Sequence, residues 1–358
     1  ISGATAEDYT VPATNPSAST VIYYRRNVFG STASSAACIY STASIAVTTN
    51  PSVSAPTVGT ITNVTCSSAT GSVVLNSLPS GSWTINQNGT STASYSSSGS
   101  SYTVTGLAVG GYTFTVSRGG CTSSPTANVP IADASSTTWN GSSWSNGTPD
   151  ATKNIIIASS LGSPLAANLT GCALTINNGV TATVPSGVTL TITNAVTTNG
   201  QLIFENNASL VQTTNVTNTG AIEYRRKSAA MKNFDYTYWS SPVTGQNIVA
   251  LSPNTLADKY FRFNGATDDW DFYNGTMVPG VGYIIRVPKP GSPAPDNWSG
   301  STYSQPVAFK GVPNNGNYSF TVGENELNLI GNPYPSDIRA DDFINANTSI
   351  IYGALYFW

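Results

Sequence analysis

The sequence predicts an all-β protein: tandem sandwich modules, then a short parallel β-helix-like segment, then a C-terminal β-sandwich-like domain. Three observations predict it. Short strand-like phrases alternate with turn signals along the whole chain. Charged residues make up only 9% of the 358, against roughly 25% in an ordinary soluble domain. Surface polarity therefore falls to Ser, Thr, Asn and Gly, of which Thr suits strands and Asn and Gly suit turns. Finally, from Gly171 to Gln212, apolar residues alternate with Thr for a few positions, a turn follows, and the pattern restarts.

Residues 1–50 carry "YTVP", "TVIYYRRNVF" and "SIAVTTN", three strands among Ser-, Asn- and Ala-rich loops. Three strands seldom enclose a core by themselves, so this segment reads as the C-terminal part of a module. Its "ISGAT…YTVP" loop, "YYRR" strand and following Cys resemble the second half of an immunoglobulin-like module of secreted Bacteroidota proteins. There the Cys bonds an earlier strand, which implies a partner for Cys38 before Ile1; a free buried thiol is the plainer alternative. "ISGATAEDYTVP" lacks the basic start and apolar core of a signal peptide, and "IIYGALYFW" ends strand-like. The expectation is a piece of a longer protein.

"NPSVSAP" at 50–56 reads as a linker, and residues 57–132 as a complete module. In "GLAVGGYTFTV", Leu107 is expected to plug one end of a sandwich. Gly110 and Gly111 permit a tight corner, and Tyr112, Phe114 and Val116 point inward at period two. This corner resembles that of immunoglobulin-like and gliding-adhesin repeat modules. The four cysteines include no C-x-x-C pair, and there is no histidine to complete a zinc site, so a metal reading is poor. Cys66 and Cys121 both fall at strand positions of this one sandwich, so a disulfide is expected between them. Cys38 and Cys172 lie in other segments and are not expected to pair with each other.

Residues 136–227 open with "STTWNGSSWSNGTPD", whose Trp139 and Trp144 suggest a loop pinned by buried aromatics or, alternatively, a sugar-stacking platform. From Asn154 to about Arg226 the turns "NNG", "PSG", "TNG", "NNAS" and "NTG" recur at roughly eight to eleven residues. A hairpin meander is one solution. A parallel β-helix is preferred, with Leu174, Ile176, Val184, Leu190, Ile192, Leu202, Phe204 and Leu210 as an inward column and Asn amides at the bends. Cys172 is expected there as a buried thiol.

Residues 228–358 form the last segment, expected to be an incomplete β domain. "YWSSPV", "PGVGY" and "NLIGNPYPS", together with the Trp loop, resemble a C-terminal domain of cargo proteins of the Bacteroidota type IX secretion system. Near the end, Asp341 and Asp342 at the start of "DDFINAN" favour a short helix.

Chemistry is constrained by what is missing. Without an imidazole, Ser-His-Asp and Cys-His sites and His-ligated metals are excluded. The predicted β-helix holds only Glu205 and Glu223 as acids between residues 151 and 227, a poor basis for the carboxylate pair of sugar hydrolysis. Asp268, Asp269 and Asp271 are a candidate calcium set, the plainer reading being a polar hairpin tip. Arg225, Arg226, Lys227 and Lys232 are candidates to dock an acidic glycan or to protect a sheet edge. A net charge of −3 offers no basic patch for nucleic acid, and no apolar run reaches the ~18 residues of a membrane span.

The expectation is a non-catalytic, extracellular cell-surface protein resembling gliding or biofilm adhesins, exported by the type IX machinery. Its partner would be a surface or extracellular polysaccharide or a protein, and no cofactor is expected apart from the calcium candidate. The alternative is the carbohydrate-binding, non-catalytic tail of a secreted hydrolase, with Trp139, Trp144, Trp270 or Trp298 stacking on sugars.

Overall fold

The computed structural model describes residues 20–25, 27–29, 39–50, 52–288, 302–351 and 355. Strands account for 45% of the chain and helix for 4%, so the all-β expectation holds. Two compact units divide it, Ile1–Asp133 and Ala134–Trp358, where the sequence suggested four segments. Cys38, "ISGAT" and "YTVP" lie outside the described residues.

The first unit begins with β1 (Thr20–Tyr24), β2 (Asn27–Phe29), β3 (Ile39–Ser41) and β4 (Ile45–Thr49). They form two antiparallel pairs, β1 with β4 and β2 with β3. The module that follows comprises β5 (Thr57–Thr62), β6 (Gly71–Asn76), β7 (Ser82–Gly89), β8 (Ala93–Ser98), β9 (Ser101–Leu107), β10 (Gly110–Arg118), β11 (Cys121–Thr122) and β12 (Val129–Ile131). One sheet runs β5-β6-β9; the other runs β11-β10-β7-β8, with β12 also on β10.

Period-two alternation decides what lies in this sandwich. Tyr112, Phe114 and Val116 on β10 are fully buried with Val73, Leu75 and Ile85, and Leu107 joins the same cluster. Each such side chain contributes roughly 1.5–3 kcal/mol by leaving water. Tyr112 also needs a partner for its hydroxyl, which it finds by donating to the Ala108 carbonyl at 3.1 Å. That is the tyrosine corner of immunoglobulin-like sandwiches. Gly110 turns the corner at φ 150°, where a Cβ would sit 1.9 Å from the Thr90 hydroxyl, so no larger residue fits.

The expected Cys66–Cys121 disulfide is not formed. Cys121 is a free thiol, whereas Cys66 and Cys172 are each disulfide-bonded. The reason is the length of β10. Val64, just before Cys66, bonds to Ala132 beside the start of β10, where Ile131 faces Gly110. Cys121 faces Arg118 at the far end. A strand rising ~3.3 Å per residue puts those ends about 26 Å apart, several times the Cα separation a disulfide spans. Cys172 is buried as expected, but in a disulfide rather than as a thiol.

The second unit opens with a parallel β-solenoid of about 4 turns. Its strands are β13 (Ser136–Trp139), β14 (Asn154–Ile157), β15 (Leu169–Gly171), β16 (Leu174–Ile176), β17 (Thr181–Val184), β18 (Thr189–Ile192), β19 (Val196–Thr198), β20 (Gln201–Phe204), β21 (Ser209–Gln212) and β22 (Ile222–Lys227). Three parallel faces result: β13-β14-β16-β19, β15-β18-β21 and β17-β20-β22. One coil therefore consumes three strands. Hydrogen bonds between neighbouring coils link residues 20, 21 and 22 apart.

The eight residues expected in the inward column are each at most 1% exposed. Amides serve the bends by joining adjacent coils: Asn168 accepts from the Thr189 N–H and Asn218 from the Val196 N–H. Buried backbone donors that the strand ladders miss are satisfied this way.

No break in packing follows Lys227. The remaining elements are β23 (Tyr236–Trp239), β24 (Val243–Thr244), α1 (Ile248–Leu251), β25 (Tyr260–Asn264), β26 (Asp269–Phe272), β27 (Tyr283–Arg286), β28 (Pro306–Pro313) and α2 (Ala340–Ala346). β28 pairs antiparallel with β22, and β24 pairs with β28. The solenoid's third face is thus closed by a reversed strand where an open parallel edge would invite another chain. A separate sheet, β23-β27-β25-β26, completes the unit. Tyr260, Tyr283, Ile285 and Phe309 share one hydrophobic cluster with the solenoid column. The short helix expected at "DDFINAN" is α2, with Asp341 and Asp342 in its first turn.

Candidate functional site

Three phrases far apart in sequence meet in the second unit. "YWSSPV" leaves β23, "PGVGY" leads into β27, and "NLIGNPYPS" precedes α2. The Gly282 N–H donates to the Leu329 carbonyl and the Gly331 N–H to the Gly280 carbonyl, both at 3.0 Å. Asn314 donates its amide to the carbonyls of Ser241 (3.1 Å) and Pro333 (2.9 Å), tying the first phrase to the third. Gly331 lies so close to Ser240 that a Cβ there would come within 2.3 Å of its side chain. Asn332 folds the proline turn, accepting from the Tyr334 N–H at 2.9 Å and donating to the Ser336 carbonyl at 2.6 Å.

Together these contacts frame a cavity of about 310 Å³, at the small end of the roughly 300–1,000 Å³ typical of small-ligand sites. Tyr238, Trp239 and Ser240 form one wall, Asn332, Tyr334 and Asp337 another, and Tyr224, Arg226 and Phe309 contribute from the β22–β28 pair. Arg226 is held rigidly. Its guanidinium lies 3.6 Å above the Tyr224 ring and donates to the carbonyls of Glu205, Arg225 and Ala208 at 3.2, 2.7 and 2.6 Å. Burial lowers its pKa to about 10, with Asp337 pulling the other way, so it remains a cation at neutral pH. Among the described residues, Trp239 Nε1 and Ser240 Oγ are buried without a hydrogen-bond partner.

Strand alternation separates the basic residues of "EYRRK". Arg226 lines the cavity, while Arg225 reaches Glu205 Oε1 (2.8 Å) and Glu223 Oε1 (2.6 Å). Lys310 meets Glu223 from β28 at 3.2 Å. Burial opposes ionisation of Glu223, but hydrogen bonds from Arg225 and Lys310 outweigh it and lower its pKa. A proton donor to a glycosidic oxygen needs the opposite shift. β22 is not a sheet edge, since β28 covers it, so this basic run has no edge to protect.

The other candidates do not join the cavity. Trp139 and Trp144 are half-buried and packed on each other, with centroids 5.3 Å apart. Trp139 Nε1 donates to the Leu161 carbonyl at 2.8 Å, and both rings rest on the solenoid core. The pinned-loop reading describes them. Asp268, Asp269 and Asp271 do not converge. Asp268 sits at the turn with φ 51°, Asp269 accepts from the Trp270 N–H, and Asp271 faces Asn264 and Arg262 across the hairpin. Among the described residues no three acidic or thiol groups are placed to hold a metal, because the hairpin turns these carboxylates apart. Trp270 packs edge-on against Phe263 at 5.4 Å, and Trp298 lies outside the described residues.

The fold thus defines a class: a parallel β-solenoid closed by antiparallel strands, with an aromatic, polar-walled cavity at the junction. Residues 132–358 match the family described as a domain of unknown function, DUF8693, and the chain belongs to that family. No curated protein and no solved structure matches it. The sequence singles out Arg226 only within a basic run and does not join it to Tyr238, Trp239 and Ser240, although the phrases that build the site are legible as landmarks. No helix among the described residues is long and apolar enough to cross a membrane.

Proposed function

We propose that this chain is a non-catalytic structural or adhesive portion of a large secreted cell-surface protein. The supporting observation is the solenoid itself: Glu205 and Glu223 are held by Arg225, Glu223 with a lowered pKa, and Asp150 by Lys153, so its long faces present no free acid–base pair. Export by the type IX machinery, and a Bacteroidota source, belong to the same proposal on the strength of "YWSSPV", "PGVGY" and "NLIGNPYPS". Deleting this region in the source cell should weaken attachment to polysaccharide-coated surfaces and leave polysaccharide turnover in the medium unchanged. Lost turnover with intact attachment would refute the proposal.

A second reading, the glycan-binding tail of a secreted hydrolase, is favoured by the cavity. The two readings part at the parent gene: a hydrolase domain in the same open reading frame selects the second, and an array of further β modules selects the first.

A further inference from the structure

We infer that the cavity between "YWSSPV" and "NLIGNPYPS" binds one pyranose ring of an uncharged saccharide. The wall chemistry carries this. A pyranose offers an apolar C–H face and a rim of hydroxyls that both donate and accept. Trp239 supplies flat aromatic surface for the first; Tyr238, next to it on β23, turns its ring to the opposite face of the sheet, towards Trp270. Arg226, a donor only, and Asp337, an acceptor only, line the same space and match vicinal hydroxyls of the second. An anionic ligand would meet the charge of Asp337 and a cationic one that of Arg226, so a neutral polyol fits both.

A further feature supports a built site. The three carbonyl bonds of Arg226 and the Asn332 turn fix the wall before any ligand arrives, which lowers the ordering cost of binding.

Affinity electrophoresis and calorimetry of the whole chain with xylan, mixed-linkage β-glucan, galactomannan and, as the acidic control, alginate test the inference. At least one neutral polymer should bind, and Trp239→Ala and Asp337→Asn should each weaken it by about tenfold or more. Asp337 is exposed, so its substitution leaves the core intact, and circular dichroism checks that both variants fold. Trp144→Ala should bind like the parent. Tryptophan fluorescence should change on saturation, and Trp239→Phe should remove that change. Retention of none of the neutral polymers, binding of alginate alone, or binding unmoved by Trp239→Ala and Asp337→Asn would overturn it. Surface attachment and sugar binding are separate readouts, so either proposal can fail alone.

Discussion

Gly331 shows how one side chain's absence decides a site. Its neighbour Ser240 leaves no room for a Cβ, and both belong to phrases that are recognisable in sequence but about ninety positions apart (331 − 240 = 91). Gly331→Ala should therefore destabilise the second unit by roughly 1–3 kcal/mol, the usual cost of overpacking, measurable as a lower urea midpoint; an unchanged midpoint would show that the loop simply shifts. The same limit on legibility applies to the arginines. Alternation along "EYRRK" implies that Arg225 and Arg226 face opposite ways, but only packing reveals which one meets Glu205 and which one meets Tyr224. Cysteine pairing was misjudged because it depends on which end of β10 each cysteine reaches. Without reductant, maleimide should label Cys121 and spare Cys66 and Cys172, as read by peptide mass mapping.

At the scale of elements, the inward column from Leu174 to Leu210 was readable because each coil repeats one rule: a buried aliphatic at every second position, then a polar bend. What alternation does not encode is how the solenoid ends, since β28 lies some eighty residues beyond the strand it covers (306 − 227 = 79). Across that closing face run Glu205, Arg225, Glu223 and Lys310, one charge from each of β28 and the bend after β20 and two from β22. Glu223 has a lowered pKa in the folded chain. The stability it contributes is therefore fully present above its unfolded pKa and is lost as pH falls through the folded one. Asp150 behaves alike: hydrogen bonds from Lys153 and Thr152 hold its pKa at about 2. The melting temperature should fall as pH drops from about 4.5 towards 2, and Glu223→Gln should flatten part of that slope. An identical acid profile for the variant would show that the network is ornamental to stability.

For the whole molecule, two separate hydrophobic clusters predict two cooperative events. One cluster joins the solenoid column to Tyr260, Tyr283 and Phe309, and the other fills the sandwich around Phe114. Phe204→Ala and Phe309→Ala, both at buried positions, should each cost about 3–5 kcal/mol and lower one and the same calorimetric transition. Phe114→Ala should lower a different one. If Phe204→Ala and Phe309→Ala moved separate transitions, the continuity of the second core would be disproved. That continuity also explains why a boundary at residue 227 looked natural in the sequence: periodicity changes there, but burial does not.

The reversed pairing of β28 on β22 restricts how relatives can differ in length. Because β22 must arrive at the same face in the same direction to receive its partner, growth or shrinkage of the solenoid is quantised. Adding or removing one full circuit of three strands preserves the seam, whereas a fractional insertion within the strands would rotate the wrong face towards β28 and expose Phe309 to water.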